Sequence, residues 1–147
     1  MNMPDDVLKI DLKEVLGSTE APSTQQLTLY IAHKDKNGGE VKDLPGWIKE
    51  AQKVLTIIGG GSTRMSPADG TWLSQEKALD SIDQLRDEDM LWEKTTIIYT
   101  YIYPDRFEKN LRLLREFLHN FGRETNQGEV VFEFAGEFFR IREYDPK

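Results

Sequence analysis

The sequence predicts an α+β fold in which helices cover one face of an antiparallel sheet. Three observations lead to this prediction. The stretch 95–103, TTIIYTYIY, is rich in β-branched and aromatic residues, as strands are. An apolar stripe with helical spacing follows over residues 105–122, and the segment 129–144 has the alternation of a hairpin. We expect the rest of the chain to pack against residues 95–134.

The chain before residue 95 predicts another strand and another helix. Apolar residues alternate with polar or aromatic ones over 26–33, which is the period of a half-buried strand. Residues 44–59 carry their apolar side chains on one helical stripe and end in a glycine, a common helix stop. Residues 59–73 are predicted to begin as a loop and become an edge strand, because a proline and a glycine interrupt them.

The end of the chain predicts a helix followed by a hairpin. A two-residue turn at 135–136 would place Phe132 opposite Phe139 and Val130 opposite Ile141 on one face. The element order is therefore β-α-β, an insertion, and β-α-β-β. This order predicts a ferredoxin-like split β-α-β sandwich, with two helices on one face of the antiparallel sheet and an extra C-terminal strand.

The sequence divides into an N-terminal helical arm with a linker, residues 1–24, and an α+β domain, residues 25–147. The arm has apolar residues at helical spacing, Leu8 and Leu12 among them, but a helix this short is marginal alone. It therefore has to dock on its own domain or on a partner. The acidic segment 74–94 is predicted to be mainly a surface excursion, with a short helix as the alternative.

Composition limits the possible functions. The chain has a formal net charge of −7, a pI of about 4.9 and no cysteine. A negative average field repels phosphate backbones, so nucleic-acid binding is disfavoured. The lack of cysteine excludes disulfides, cysteine-based zinc sites and thiol nucleophiles. No apolar run approaches the roughly 20 residues of a membrane span, and the acidic N-terminus is unlike a signal peptide, which together predict a cytoplasmic protein.

Standard catalytic and cofactor motifs do not match this sequence. The glycine-rich run 59–64, GGGSTR, lacks the lysine of a P-loop and the third glycine of a dinucleotide fingerprint, so we interpret it as a helix stop and a turn. The alternative is that Arg64 and the backbone amides of this run hold an anion. His33 and His119 are isolated in the sequence and are predicted to lie at the surface. Neither a metal site nor a cofactor is predicted.

The segment 123–129, RETNQGE, is more polar than a connection between a helix and a strand requires. Together with polar and tryptophan side chains from elsewhere it predicts a ligand pocket with aromatic walls. The candidate ligand-binding residues are Arg64, Trp72, Trp92, Glu93, Arg123, Glu124, Asn126, Gln127 and Glu129. The alternative is a capping network at the helix end, in which Arg123 pairs with Glu93 or Glu124.

Tyrosines of the central strands predict an association surface. The open face of the sheet is expected to carry some of Tyr30, Tyr99, Tyr101 and Tyr103. We favour a dimer interface over a ligand platform, because two such faces would bury each other. Leu8 and Leu12 of the arm are the other candidate interface residues.

Several segments resemble a family of small, uncharacterised bacterial proteins of similar length. They are LTLYIAHKD, GGGSTRMSPADGTW, LWEKTTIIYTYI and LREFLHNFGRETNQGEVVFEFAGEFFRI, and together they cover roughly residues 26–144. The run GRETNQGEV is the most specific of these pieces. The resemblance implies a ferredoxin-like fold and genes beside restriction or phage-defence genes, and it carries over no activity, cofactor or catalytic residue.

The sequence therefore favours a non-enzymatic protein-interaction module, either a homodimer or a small accessory subunit of a larger bacterial assembly. The aromatic strand, the detachable arm and the lack of a recognisable catalytic set support this hypothesis. The alternative is a small ligand-binding protein or enzyme that uses the pocket around residues 123–129. RNA binding on the open sheet ranks last, because the RNP pattern is missing and the charge has the wrong sign.

Overall fold

The computed structural model describes residues 9–73 and 81–147, and these ranges contain four α-helices and six strands. The helices are α1 (Leu12–Leu16), α2 (Leu44–Gly59), α3 (Pro104–Lys109) and α4 (Leu111–Glu124). The strands are β1 (Gln26–Ala32), β2 (Thr63–Arg64), β3 (Ala68–Leu73), β4 (Met90–Tyr101), β5 (Val130–Phe134) and β6 (Glu137–Ile141). Within the described ranges, no helix is long and apolar enough to cross a membrane, and the cytoplasmic location stays a prediction.

The six strands form one antiparallel sheet with β1 near its centre. β1 pairs with β4 on one side and with β5 on the other, and β6 pairs with β5. β2 and β3 both pair with β4, so together they form one interrupted edge of the sheet. The α+β class and the antiparallel sheet expected from the sequence are confirmed.

The hydrophobic core lies between one face of the sheet and helices α2 and α4. Leu27, Leu29 and Ile31 of β1 are buried on this face. Trp47 of α2 meets Phe121 of α4 edge to face, with ring centroids 5.4 Å apart, so the two helices also pack on each other. α2 buries the apolar stripe expected from its sequence, Ile48, Ala51, Val54, Leu55 and Ile58.

The hairpin of β5 and β6 has the register expected from the sequence. Phe132 lies opposite Phe139, their rings stack with centroids 4.9 Å apart, and the next expected pair is also formed. The turn residues Ala135 and Gly136 have φ values of 50° and 86°. Positive φ at both positions is what a type I′ turn requires. The two-residue turn and the alternation of apolar residues in β5 and β6 therefore give the same strand register.

Two boundaries differ from the sequence prediction. The single helix expected over 105–122 is divided into α3 and α4, because Asn110 leaves helical geometry with φ −117° and ψ 18°. Its side-chain amide donates to a carbonyl one turn back, at 2.7 Å, and so ends α3. β4 begins at Met90, so the end of the expected surface excursion is a strand paired with β3. Residues 74–80 of that excursion lie outside the described ranges.

α1 is a short, exposed helix at the start of the described chain. Its N-cap Asp11 accepts from the Lys13 amide at 3.1 Å, and Gly17 ends it with φ 77°. No residue of α1 is buried, and Leu12 is exposed. Docking on its own domain is therefore not observed for the described part of the arm, and docking on a partner stays a prediction. Leu8 lies outside the described ranges.

The surface positions predicted for the two histidines are wrong. His119 is only 6% exposed, because the C-terminal segment covers its side of α4 and the Asp145 amide donates to its Nδ1 at 2.8 Å. His33 is partly buried, and its Nε2 lies 2.7 Å from the Thr96 hydroxyl oxygen. Burial lowers the pKa of His33, and the charge of Lys94 lowers it further.

The end of α2 lies very close to the sheet at Gly59, so a substitution at Gly59 tests how tightly the helix packs on β4. A Cβ at Gly59 would overlap the Thr100 side chain and lie 2.7 Å from the Tyr101 carbonyl oxygen. We expect Gly59→Ala to lower the free energy of unfolding by about 1–3 kcal/mol through overpacking. In a helix without such a contact, alanine stabilises by about 1 kcal/mol relative to glycine. A lower free energy of unfolding for Gly59→Ala would therefore show that the clash outweighs the helix propensity of alanine.

Urea unfolding followed by circular dichroism measures this change. The matched control is Gly61→Ala, because no other heavy atom lies within 4 Å of the Cβ position of Gly61. Equal unfolding midpoints for the two variants would contradict the close packing of α2 on β4.

Candidate functional site

The sheet face opposite α2 and α4 carries the polar and aromatic side chains of the central strands. Because side chains alternate along a strand, Thr28, Tyr30 and Ala32 of β1 point away from the core. Tyr30 pairs with Ile97, which places the odd-numbered residues of β4 on the same face. We call this surface the open face.

A cavity of about 500 Å³ lies at one end of the open face. Tyr30, Glu93 and Thr95 line it from the central strands, and Trp72 lines it from β3. Residues 127–129, which precede β5, line it from the other side of β1. We call it the Glu93 cavity. Its volume falls in the range of small-molecule pockets, roughly 300–1,000 Å³.

Glu93 is the most buried ionisable side chain of this cavity, at 9% exposure. Its Oε2 accepts from the Lys34 backbone N–H at 3.2 Å. The pKa of Glu93 is raised, because burial outweighs this hydrogen bond and the charge of Lys34, which both act in the opposite direction. A carboxyl group with a raised pKa can accept or donate a proton closer to neutral pH than an exposed glutamate can.

Two buried polar atoms beside Glu93 make no hydrogen bond within the described ranges. They are the indole Nε1 of Trp72 and the hydroxyl Oγ1 of Thr95. A Cβ at Gly70 would lie 3.4 Å from the first atom and 3.5 Å from the second, so both atoms border the space that this glycine leaves. A buried polar group without a partner costs about 1–3 kcal/mol. A water molecule or a ligand that supplies acceptors at this position would remove that cost.

The turn after α4 serves both as a helix cap and as a wall of the cavity. Asn126 has φ 55°, and the Gln127 N–H donates to the Gly122 carbonyl at 2.9 Å, which closes the helix end. The Gln127 side-chain Nε2 donates to the Lys34 carbonyl at 3.0 Å and ties the turn to the end of β1. The turn therefore combines the two arrangements considered for segment 123–129, and Gln127 belongs to both: its N–H caps the helix, and the residue lines the cavity.

The rim of the cavity carries charges of both signs. The charged residues along it are Lys34, Asp35, Lys36, Glu129, Arg140 and Arg142. Arg142 pairs with Glu129 at 3.1 Å, and the Arg140 guanidinium lies 4.8 Å from the centre of the Phe138 ring. A ligand that extends from the interior to the rim therefore meets both acids and bases. In the described ranges, no group of three or more side chains is arranged to hold a metal ion.

Four of the nine candidate ligand-binding residues line the Glu93 cavity, namely Trp72, Glu93, Gln127 and Glu129. The other five lie outside it, namely Arg64, Trp92, Arg123, Glu124 and Asn126. Trp92 points away from the open face because it alternates with Glu93, and it is 57% exposed. Arg123 donates to the Asp145 carbonyl at 2.6 Å and lies 3.3 Å from the Glu124 carboxylate, so it serves the C-terminal segment.

Several residues of the cavity were not among the ligand candidates. Lys34 comes next to Glu93 only through the pairing of β1 with β4, which the sequence does not specify by itself. Thr95 lies two residues after Glu93 on the same face of β4, so strand alternation could have identified it. Arg140 reaches the cavity through the hairpin, whose predicted register places it opposite Val131. The predicted hairpin register could therefore have identified Arg140 as a candidate residue. Tyr30, an expected interface residue, also lines the cavity.

The other expected interface tyrosines lie farther along the sheet. Tyr99 and Tyr101 border a second, shallower cavity of about 450 Å³, together with the glycine-rich run that follows α2. Tyr103 also borders this cavity; it is the residue before α3, and the Arg106 guanidinium lies 4.7 Å from the centre of its ring. Association of a second chain through these tyrosines stays a prediction.

Comparisons with known proteins give a structural likeness without a sequence match. No family model matches the chain, and neither does any curated protein. A phage SAM lyase in complex with S-methyl-5'-thioadenosine is similar in structure, with a TM-score of 0.55 and 10% identity over 84% of this chain and 92% of that chain. The same comparison with a phage SAM lyase in the apo state gives a TM-score of 0.52, 10% identity and equal coverage. At this identity the likeness shows a shared fold.

The expected non-enzymatic interaction module is contradicted by this likeness. Both similar structures are of an enzyme, and their coverage extends over most of each chain. The sequence left enzyme activity open and leaned against it, and the same likeness contradicts that preference. The preference relied on the lack of a recognisable catalytic motif, and a site assembled from separate strands leaves no such motif in the sequence.

The raised pKa of Glu93 predicts a pH-dependent stability. Between the ordinary value of 4.5 and the raised value, the unfolded chain has lost this proton while the folded protein keeps it. The contribution of Glu93 to the free energy of unfolding is therefore largest below pH 4.5 and falls as the pH rises through the folded pKa. We expect Glu93→Gln to remove this part of the pH dependence.

The measurement is the urea midpoint of each protein from about pH 4 to pH 8, a span that covers the shift expected of a buried carboxyl. Glu137→Gln is the control, because Glu137 is an exposed glutamate of β6 and its replacement leaves Glu93 in place. Parallel pH profiles for wild type and Glu93→Gln would show that Glu93 does not titrate differently on folding.

Proposed function

We propose that this protein is an enzyme that binds S-adenosylmethionine, or a closely related adenosyl sulfonium compound, in the Glu93 cavity and cleaves it as a lyase. The observation that carries the proposal is the pair of unpartnered buried atoms, Trp72 Nε1 and Thr95 Oγ1, beside the buried carboxyl of Glu93. These groups lie on a fold shared with a SAM lyase whose structure contains S-methyl-5'-thioadenosine.

A thioadenosine group matches the chemistry of the cavity. Its ring nitrogens are acceptors for the indole N–H of Trp72 and the hydroxyl of Thr95, and its ribose hydroxyls can donate to Glu93. The aromatic rings of Tyr30 and Trp72 at the cavity wall offer flat apolar surface to a purine. The cavity volume of about 500 Å³ is sufficient for a ligand of this size.

A sulfonium substrate also agrees with the charge of the protein. The chain has a formal net charge of −7, and an acidic protein attracts cations from solution. Asp35 and Glu129 line the same cavity as Glu93, so local acids add to the average field. The bases on the rim suit the carboxylate of an amino-acid tail, which a substrate of this class carries together with its positive charge.

The reaction needs no second substrate. When the bond from sulfur to the amino-acid carbon chain breaks, its electron pair goes to sulfur and leaves the neutral thioether S-methyl-5'-thioadenosine. The carbon fragment balances the charge by losing a proton to a base or by closing on its own carboxylate oxygen. Glu93 is the candidate for the proton-accepting or positioning role, because its raised pKa makes it a stronger base than an exposed glutamate.

We also propose the ferredoxin-like assignment of the fold. The strand order β5-β1-β4-β3 supports it, as do α2 and α4, which each connect two strands of one half and pack on the same face of the sheet. In this arrangement β6 is an addition to the edge at β5, and the cavity lies where the two β-α-β halves meet.

The activity is tested by incubating the protein with S-adenosylmethionine and separating the products by chromatography. We expect S-methyl-5'-thioadenosine to form with wild type, and we expect Glu93→Gln to reduce its rate of formation by about 100-fold or more, as loss of acid–base groups does. Glu137→Gln, an exposed glutamate outside the cavity, is expected to match wild type. If wild type forms no more product than buffer does, the proposal is overturned.

Ligand binding is tested separately from turnover by titrating S-methyl-5'-thioadenosine in a calorimeter. We expect Trp72→Phe to weaken the affinity by roughly 3- to 10-fold, because it removes a hydrogen-bond donor and keeps an aromatic ring. The matched control is Trp92→Phe, since Trp92 is exposed and lies outside the cavity. An unchanged affinity for Trp72→Phe would place the ligand away from the indole.

A further inference from the structure

The C-terminal segment, residues 142–147, folds back against α4 instead of leaving the domain. The Tyr144 ring packs directly on Gly122, where any Cβ would overlap the ring. The same ring meets His119 edge to face, with centroids 6.1 Å apart. Burial raises the pKa of the Tyr144 hydroxyl to about 12, with a smaller contribution from Glu129. Tyr144 is therefore a packed part of the fold and not an exposed tail residue.

Asp145 holds this segment in place through three residues of α4. Arg115 donates to both of its carboxylate oxygens, at 2.7 and 2.8 Å. The Asp145 N–H donates to His119, and its carbonyl accepts from Arg123 at 2.6 Å. Because the side chain, the amide and the carbonyl of one residue are all engaged, the position of the segment along α4 is fixed.

Tyr144 connects the held segment to the wall of the Glu93 cavity. Its hydroxyl donates to the Gln127 carbonyl at 2.9 Å. The Gln127 amide donates to Gly122, and its side chain donates to the Lys34 carbonyl at 3.0 Å. Gln127 is thus held by the C-terminal segment, by α4 and by the end of β1, and residues 127–129 line the cavity.

We propose that Tyr144, held in place by Asp145, is a positioning residue for the Glu93 cavity: it fixes the wall formed by residues 127–129 and thereby sets the affinity for the ligand. Neither residue lines the cavity, so the effect passes through the backbone of the turn. The statement about affinity rests on the proposed function, whereas the statement about the wall does not.

The test compares Tyr144→Phe with wild type in the full-length protein. This variant keeps the ring on Gly122 and removes only the hydroxyl. We expect amide hydrogen exchange to become roughly 5- to 10-fold faster at Gln127 and at Lys36, whose amide donates to the Asn126 carbonyl at 3.0 Å, in line with the loss of one hydrogen bond. Amides in the middle of β1 should exchange at the wild-type rate, because a local opening does not require global unfolding.

The affinity for S-methyl-5'-thioadenosine is then measured in the same proteins. We expect Tyr144→Phe to weaken binding by roughly 3- to 10-fold while Tyr103→Phe, a tyrosine outside the Glu93 cavity, leaves both exchange and affinity unchanged.

The outcomes separate this inference from the proposed function. Unchanged exchange at Gln127 in Tyr144→Phe overturns the positioning role, whether or not the ligand binds. Faster exchange in β1 as well as at Gln127 also overturns it, because the hydroxyl would then serve only global stability. Faster exchange confined to the turn with unchanged affinity overturns the link to the ligand. Absence of binding in wild type overturns the proposed function, and the exchange data still decide whether Tyr144 holds the wall.

Discussion

The pairing of β1 with β4 is the constraint on which both faces of this protein depend. The register opposes Leu29 to Ile98 and Tyr30 to Ile97, so one face of the pair is apolar and the other carries the site. A shift by one residue would turn the leucines of β1 toward the open face and Tyr30 toward the helices. The core thus specifies the register, and the register in turn places Glu93 and Thr95 beside the end of β1.

Much of the fold could be predicted from the sequence because its signals are local. The stripe of α2 gave the bounds of that helix, and the alternation around the turn at Ala135 gave the hairpin register. The break at Asn110 was missed because the apolar arc continues through α3 and α4, and periodicity does not record a change of helix axis. The start of β4 was missed because Met90 directly follows the acidic run 87–89, and pairing with β3 extends the strand back to that point.

The site could be predicted only in part, for a physical reason. The excess polarity of segment 123–129 predicted a pocket there, and Gln127 and Glu129 line the cavity. Arg123 accounts for much of the same polarity, yet its partner is the C-terminal segment. A polar side chain in a sequence indicates that hydrogen bonds will form, but it does not indicate which groups will be the partners. The same limit explains His119, whose side of the helix is solvent-facing by period and is covered by Asp145 in the folded chain.

The arrangement around Glu93 is costly for a protein that only has to fold. A carboxyl with a raised pKa, an indole N–H and a hydroxyl without partners each reduce stability, by about 1–3 kcal/mol for an unpaired buried group. Substitution of Trp72 by phenylalanine or Thr95 by valine would remove the unpaired atoms with little change of shape. The two polar atoms lie 3.4 and 3.5 Å from the Cβ position of Gly70, so they border the same space. Polar groups that are unpaired, buried and close together would be paired by a ligand, and this is the physical basis for proposing a ligand site in this cavity, which Tyr30 of the open face also lines.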